Sequence, residues 1–222
     1  MAHELDSHVR SVYLTEVVAQ CDFALNAVRG LNNVLARLHE GDGDVGGAGQ
    51  TLHQEVFRSV HSFLTHASNV SRLLWPAPPR RKKGEADAAY RLRCDSIPKV
   101  SRGAQLRSVV GLPQEHVLRS RKLRDHLEHF DERLDHWQAT SERRNYVQDF
   151  VGPKGSIAGI DEADMMRWFD PSTNHIRFRG EEFDLQALAT AVDEVRTLCE
   201  DAVRGIRHRR VTAPVPIEPE SE

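Results

Sequence analysis

Leu14, Val18, Cys21, Leu25, Val28, Leu31, Leu35 and Leu38 follow one another at intervals of three and four residues. An α-helix turns once every ~3.6 residues, so such positions share one face, whereas a strand would alternate them. The spacing predicts one long amphipathic helix from about Leu5 to Leu38, which Gly30 weakens only slightly. Glycine-rich GDGDVGGAG (41–49) then breaks the chain.

Three more segments carry the same period. From about Thr51 to Trp75 the stripe is Val56, Val60, Phe63, Ala67, Val70 and Leu74, with Thr51 as a cap and Pro76 as the stop. From about Pro113 to Thr140 it is Leu123, Leu127, Phe130, Leu134 and Trp137, with a proline in the first turn. From about Leu185 to Arg207 it is Leu188, Val192, Val195, Cys199, Ala202 and Ile206, with Asp184 as the cap. PAPPRRKKG (76–84) reads as a stiff, then basic, loop, and Ala86 to Cys94 as a short helix. Residues 96–112 are interrupted by Pro98, Gly103 and Gly111, and 151–164 are irregular. MRWF and HIRF flank DPSTN and predict a small hairpin at about 165–180. The expectation is an all-α fold: an up-down bundle of four long helices, a short middle helix and a β-hairpin insertion. It would form a single domain over 1–210, with a disordered proline-rich, acidic tail over 211–222.

Hydrophobic residues make up 39% and charged residues 28% of the 222, in the range of soluble globular proteins. No run approaches the roughly 20 apolar residues of a membrane span, and MAHELDSHVR lacks a signal peptide's apolar core. Cys21, Cys94 and Cys199 are scattered and odd in number, which predicts reduced thiols in a cytoplasmic protein with no membrane partner. The net charge of −3 hides an asymmetry, since 13 lysines and arginines face 4 acids between Arg80 and Arg124. Such a region either attracts a polyanion or keeps a loop solvated.

Chemistry concentrates in RDHLEHFDERLDHW (124–137). On an ideal helix Arg124 and His129 lie about 140° apart, too far for one helix to aim both at a small ligand. A second copy of the same helix facing the first would bring them to one cleft. Arg124-Asp125-His126-Leu127-Glu128-His129 resembles the R-x4-6-H motif of the HEPN superfamily, helical bundles that include RNA-cleaving toxins and defence proteins. Asp125 stands where that motif usually carries Asn, Asp or His. The resemblance covers about residues 5–140 and, more loosely, the last helix.

The resemblance implies metal-independent ribonuclease chemistry at a homodimer interface, with no cofactor and no metal, on single-stranded RNA, with an antitoxin protein as a further partner. His129 would move the proton of the ribose 2′-hydroxyl or of the leaving oxygen, histidine being suited to proton transfer at neutral pH. Arg124 would neutralise charge on the phosphate with its planar guanidinium. Asp125, Glu128 and His126 would support them, and Arg80, Arg81, Lys82 and Lys83 would hold the RNA backbone without reading bases. The hairpin and the basic loop are departures from the family pattern.

Other readings compete. A non-catalytic helical binding module needs only the fold. His129, Glu132 and His136 have a spacing that can chelate a metal, with His53, Glu55, His61 and His66 on the second helix as candidate partners, although no ExxH pair occurs there. His66, Asn69 and Ser71 either back the site or make buried hydrogen bonds between helices. Trp75, Trp137 and Trp168 read as core or interface residues. No GxxxxGK or GxSxG is present, and Cys94 has only Arg91 and Arg93 nearby in sequence to activate it.

Overall fold

In the computed structural model, residues 4–41, 48–120 and 129–212 are described. They form a mainly helical protein with a small sheet. The helices are α1 (Ser7–His39), α2 (Ala48–Leu74), α3 (Asp87–Asp95), α4 (Pro98–Val110), α5 (Phe130–Thr140) and α6 (Leu185–Thr212). The strands are β1 (Val147–Val151), β2 (Met165–Asp170), β3 (His175–Phe178) and β4 (Glu181–Asp184), in that spatial order.

Helix α1 is the central member. Asp6 caps it by accepting from the Val9 N–H at 2.8 Å. Its pairings run antiparallel to both partners. Gln20 meets His66 and Asn69 of α2 while Gly30 lies near Ser59, and Asp22 approaches Arg196 of α6 while the helix start shares a groove with Ile206. Leu14, Val17, Cys21, Ala24 and Leu31 are buried from α1, Val56, Val60, Phe63, Val70 and Leu74 from α2, and Leu188, Val192, Val195 and Cys199 from α6. The three long stripes therefore close on one another as their period requires. Burial pushes the thiols of Cys21 and Cys199 up, Cys199 to about 12, so both serve as small apolar side chains.

The sheet caps this core beside α2. Strands β2 and β3 form the expected hairpin, joined by a turn in which Asp170 Oδ1 accepts from the backbone N–H and hydroxyl of Ser172, and Asn174 takes φ 56°. Two strands flank it beyond what the periodicity predicts. β1 pairs in parallel with β2, Val147 opposite Met165, and β4 pairs antiparallel with β3 as a charged edge. Asp184 ends the sheet and starts α6, accepting from the Ala187 N–H at 2.9 Å as expected.

Three expectations are corrected. Pro113 does not open a long helix: residues 113–116 are irregular and Val117–Arg119 form a single 3-10 turn. Tertiary anchors hold this stretch open. The Trp75 indole donates to Pro113 O at 3.2 Å and stacks on His116 at 4.8 Å, and Leu118 enters the core. Thr51 is not a cap, because α2 already begins at Ala48. Helix α6 reaches Thr212, two residues into the expected tail, and 213–222 lie outside the described residues, as does most of the glycine-rich break.

Residues 98–110 form a regular helix despite Pro98 and Gly103. Proline at its first position lacks only an N–H that would be unpaired anyway. Gly103 is there for proximity: a Cβ would fall 2.8 Å from Leu74 O and into the Pro76 ring. Gly103→Ala is therefore expected to destabilise by about 1–3 kcal/mol through overpacking. Gly30→Ala, in α1 with only Ser59 Oγ at 3.5 Å, should be neutral or stabilising by up to about 1 kcal/mol. Denaturant unfolding of the two variants checks the contrast.

Candidate functional site

His129 is the described member of the proposed catalytic pair. It stands just before α5 as its N-cap residue, with φ −119° and ψ 42°, so the ideal helix used to relate it to Arg124 does not run through it. Its Nδ1 lies 3.1 Å from Glu132 Oε1, and its side chain is about half exposed. A carboxylate beside one ring nitrogen restrains the imidazole, as the carboxylate partner of a general base does. Arg124, Asp125, His126 and Glu128 lie outside the described residues. Among the described residues the acid beside His129 is Glu132, which the sequence also offers as part of a candidate metal set. Its i,i+3 spacing from His129 was the available signal.

Helix α5 is held loosely. None of its side chains is fully buried, and Phe130, expected in a buried stripe, is 65% exposed. The helix is tied down by its backbone and its last turns. Arg179 donates to Arg133 O at 2.8 Å and to Thr140 Oγ1 at 3.3 Å. The Trp137 indole donates to Asn145 O at 2.8 Å and meets Tyr146 edge-on.

Between α5, the first half of α2 and the sheet lies a cavity of about 410 Å³. Phe57, Ile176, Phe178 and Leu134 give it apolar walls, and Arg133, Arg167 and Arg179 add charge. Arg167 is neutralised by an ion pair with Asp149, its Nε 2.7 Å from Oδ1 and its Nη2 donating to Oδ2 at 3.2 Å, and it rests on the Phe57 ring. Desolvation foremost raises the Asp149 carboxyl, against the pull of Arg167. Burial, and more weakly the Arg133 charge, lower the Arg179 guanidinium against the attraction of Asp164.

The basic loop is more ordered than its composition implies. Arg81 donates to Glu85 O at 3.1 and 2.8 Å and pairs with Asp87. Arg93 grips both oxygens of Glu85 at 2.8 and 2.7 Å, and the two guanidinium groups lie over Tyr90 at 5.6 and 5.5 Å. Arg81 is therefore committed to the loop, while Arg80, Lys82 and Lys83 stay exposed. The bonds from Arg93, foremost, and from the Lys82 backbone N–H hold the Glu85 carboxyl down at about 2. A depressed carboxyl keeps its stabilising effect above its ordinary value of 4.5 and loses it as pH falls toward 2. Hydrogen exchange across 79–95 should accordingly stay slow at pH 5 and rise sharply below pH ~3, and Glu85→Gln should exchange fast at both. The loop follows the far end of α2, about 20 Å along the helix from His61 beside the cavity.

The other candidates resolve simply. His66 and Asn69 both meet Gln20 Oε1, at 2.8 and 3.0 Å, so they join α1 to α2. Trp75 and Trp168 are buried, and Trp168 donates to Gly152 O at 2.7 Å. Among the described residues, no three of His, Cys, Asp and Glu come together as a metal site, so His129, Glu132 and His136 gain no partners from α2. No described helix is long and apolar enough to cross a membrane. Comparisons with family models, with curated proteins and with solved structures find no match.

Proposed function

We propose that this chain is a metal-independent endoribonuclease of HEPN type, toxin-like in its action on single-stranded RNA. The site would form between two copies of the chain. In this reading α1, α2 and α6 are three of the four long helices of an up-down bundle; His129 stands at the start of α5, and Arg124 lies outside the described residues. The observation that carries it is the exposed imidazole of His129, oriented by Glu132, five residues after Arg124 in an R-x4-H sequence.

The chemistry needs no cofactor. His129 takes the proton of a ribose 2′-hydroxyl, the 2′-oxygen attacks the adjacent phosphorus, and the 5′-oxygen of the next nucleotide leaves with the proton that His129 returns. Arg124 stabilises the charge on the phosphorane. The products are a 2′,3′-cyclic phosphate and a free 5′-hydroxyl. Arg80, Lys82 and Lys83 add backbone attraction that weakens with salt. A protein antitoxin that covers the His129 face would silence the activity.

Incubating the purified protein with single-stranded RNA in EDTA tests this. Cyclic-phosphate ends support it, and intact RNA contradicts it. A second reading, a helical binding module without catalysis, draws on the His129–Glu132 pair being an ordinary surface pair of one helix. It predicts RNA or protein binding with no cut ends.

A further inference from the structure

The cavity beside α5 has a feature that the cleavage chemistry does not use. Arg133 Nε is shielded from solvent and has no hydrogen-bond partner among the described residues. A buried donor on a charged group is costly when left unpaired, and native structures rarely keep one without a use. Arg133 lines the cavity together with Arg179, which donates to carbonyl and hydroxyl oxygens. Among the described residues neither forms a salt bridge with a carboxylate; Asp164 only faces Arg179, and Asp149 is spent on Arg167. The site thus holds two guanidinium groups without a carboxylate ion pair among the described residues, over apolar walls. Its exposed lining residues include two aromatic rings, Phe130 at 65% and Tyr146 at 44% exposure, beside His61 and Gln148. Gln148 adds an amide that can both donate and accept.

Two guanidinium groups ask for an anion, and exposed rings over a cavity of about 410 Å³ ask for a flat, largely apolar body. One nucleotide of a single strand meets both demands, since bases stack on aromatic side chains while arginine holds phosphate. Phe130 directly follows His129 in the chain, so the bound nucleotide would adjoin the reacting one. We propose that this cavity is a nucleotide subsite: the base lies against Phe130 and Tyr146, and the phosphate on Arg133 and Arg179. The proposal rests on the RNA reading above and adds to it a site away from the bond that is cut.

Calorimetric titration of the full chain with adenosine 5′-monophosphate tests it, with adenosine, inorganic phosphate and octanoate as comparisons. The nucleotide should bind at least tenfold more tightly than any of the three. Arg133→Gln should weaken it tenfold or more and Arg133→Lys less, while Phe130→Ala, at an exposed position, should weaken it about fivefold or more. Circular dichroism confirms folding of each variant. Equal binding of phosphate, tighter binding of octanoate, or an Arg133→Gln protein that binds as wild type would overturn the subsite. If the nucleotide fails to bind yet RNA is still cleaved, the subsite falls and the ribonuclease reading stands. If the nucleotide binds as described but RNA is neither bound nor cut, the RNA reading falls and takes the strand-binding role of the cavity with it.

Discussion

Phe63→Ala lowers stability by about 3–5 kcal/mol, and with it the melting temperature by about 6–20 °C for a chain of this size. Phe63 is among the largest fully shielded side chains, 2% exposed, in the cluster that joins α1, α2 and α6. Removing its ring forfeits the transfer free energy of burial and leaves a cavity that long helices packed on both sides cannot collapse. Chemical denaturation with an unchanged m value measures the loss. A cost below ~1 kcal/mol would mean that the stripes of α1, α2 and α6 do not meet at this position.

That core was legible because burial in a helix leaves a period. The stripes of α1, α2 and α6 each run over about five turns or more, and their apolar positions predicted the elements within a few residues. Where the structure departs, a contact distant in sequence decides. Gly103 reads as a breaker, yet it sits in a regular helix because Leu74 O and Pro76 press against its Cα. Pro113 reads as a helix start, yet the Trp75 indole and the stacked His116 hold the backbone open. β1 pairs in parallel across an irregular connection, so no tight turn announces it, and β4, EEFD, is an exposed charged edge with no alternation to detect.

The site divides in the same way. His129 and Glu132 were visible as a local spacing, while Asp125 and Glu128 lie outside the described residues. The cavity was not visible, because Phe57, Phe130, Tyr146 and Phe178 come from four separate parts of the chain. Arg133 has a shielded Nε without a hydrogen-bond partner among the described residues, as Arg10 and Arg102 do, and it alone of these three lines the cavity.

His129→Ala is expected to reduce RNA cleavage by about 10²–10⁴-fold while leaving the fold and the melting temperature nearly unchanged. The residue is half exposed and caps α5 without a side-chain bond, so it contributes little to stability. Its loss removes the proton acceptor, and the residual rate reflects the guanidinium and the bound phosphate alone. Glu132→Gln should cost less, since it only loosens the imidazole's orientation. Initial rates on a fluorescent single-stranded RNA report both variants. Cleavage by the alanine variant at the wild-type rate would remove His129 from the mechanism.

The central claim is that two copies of one chain build the site between them. Co-expression of Arg124→Ala and His129→Ala chains, each inactive alone, tests it most directly. The mixed dimer still presents one guanidinium and one imidazole to the shared cleft, so the account predicts recovery of a large part of wild-type cleavage, up to about half. Mixed protein as inactive as either variant, although wild type cuts RNA under the same conditions, would contradict it.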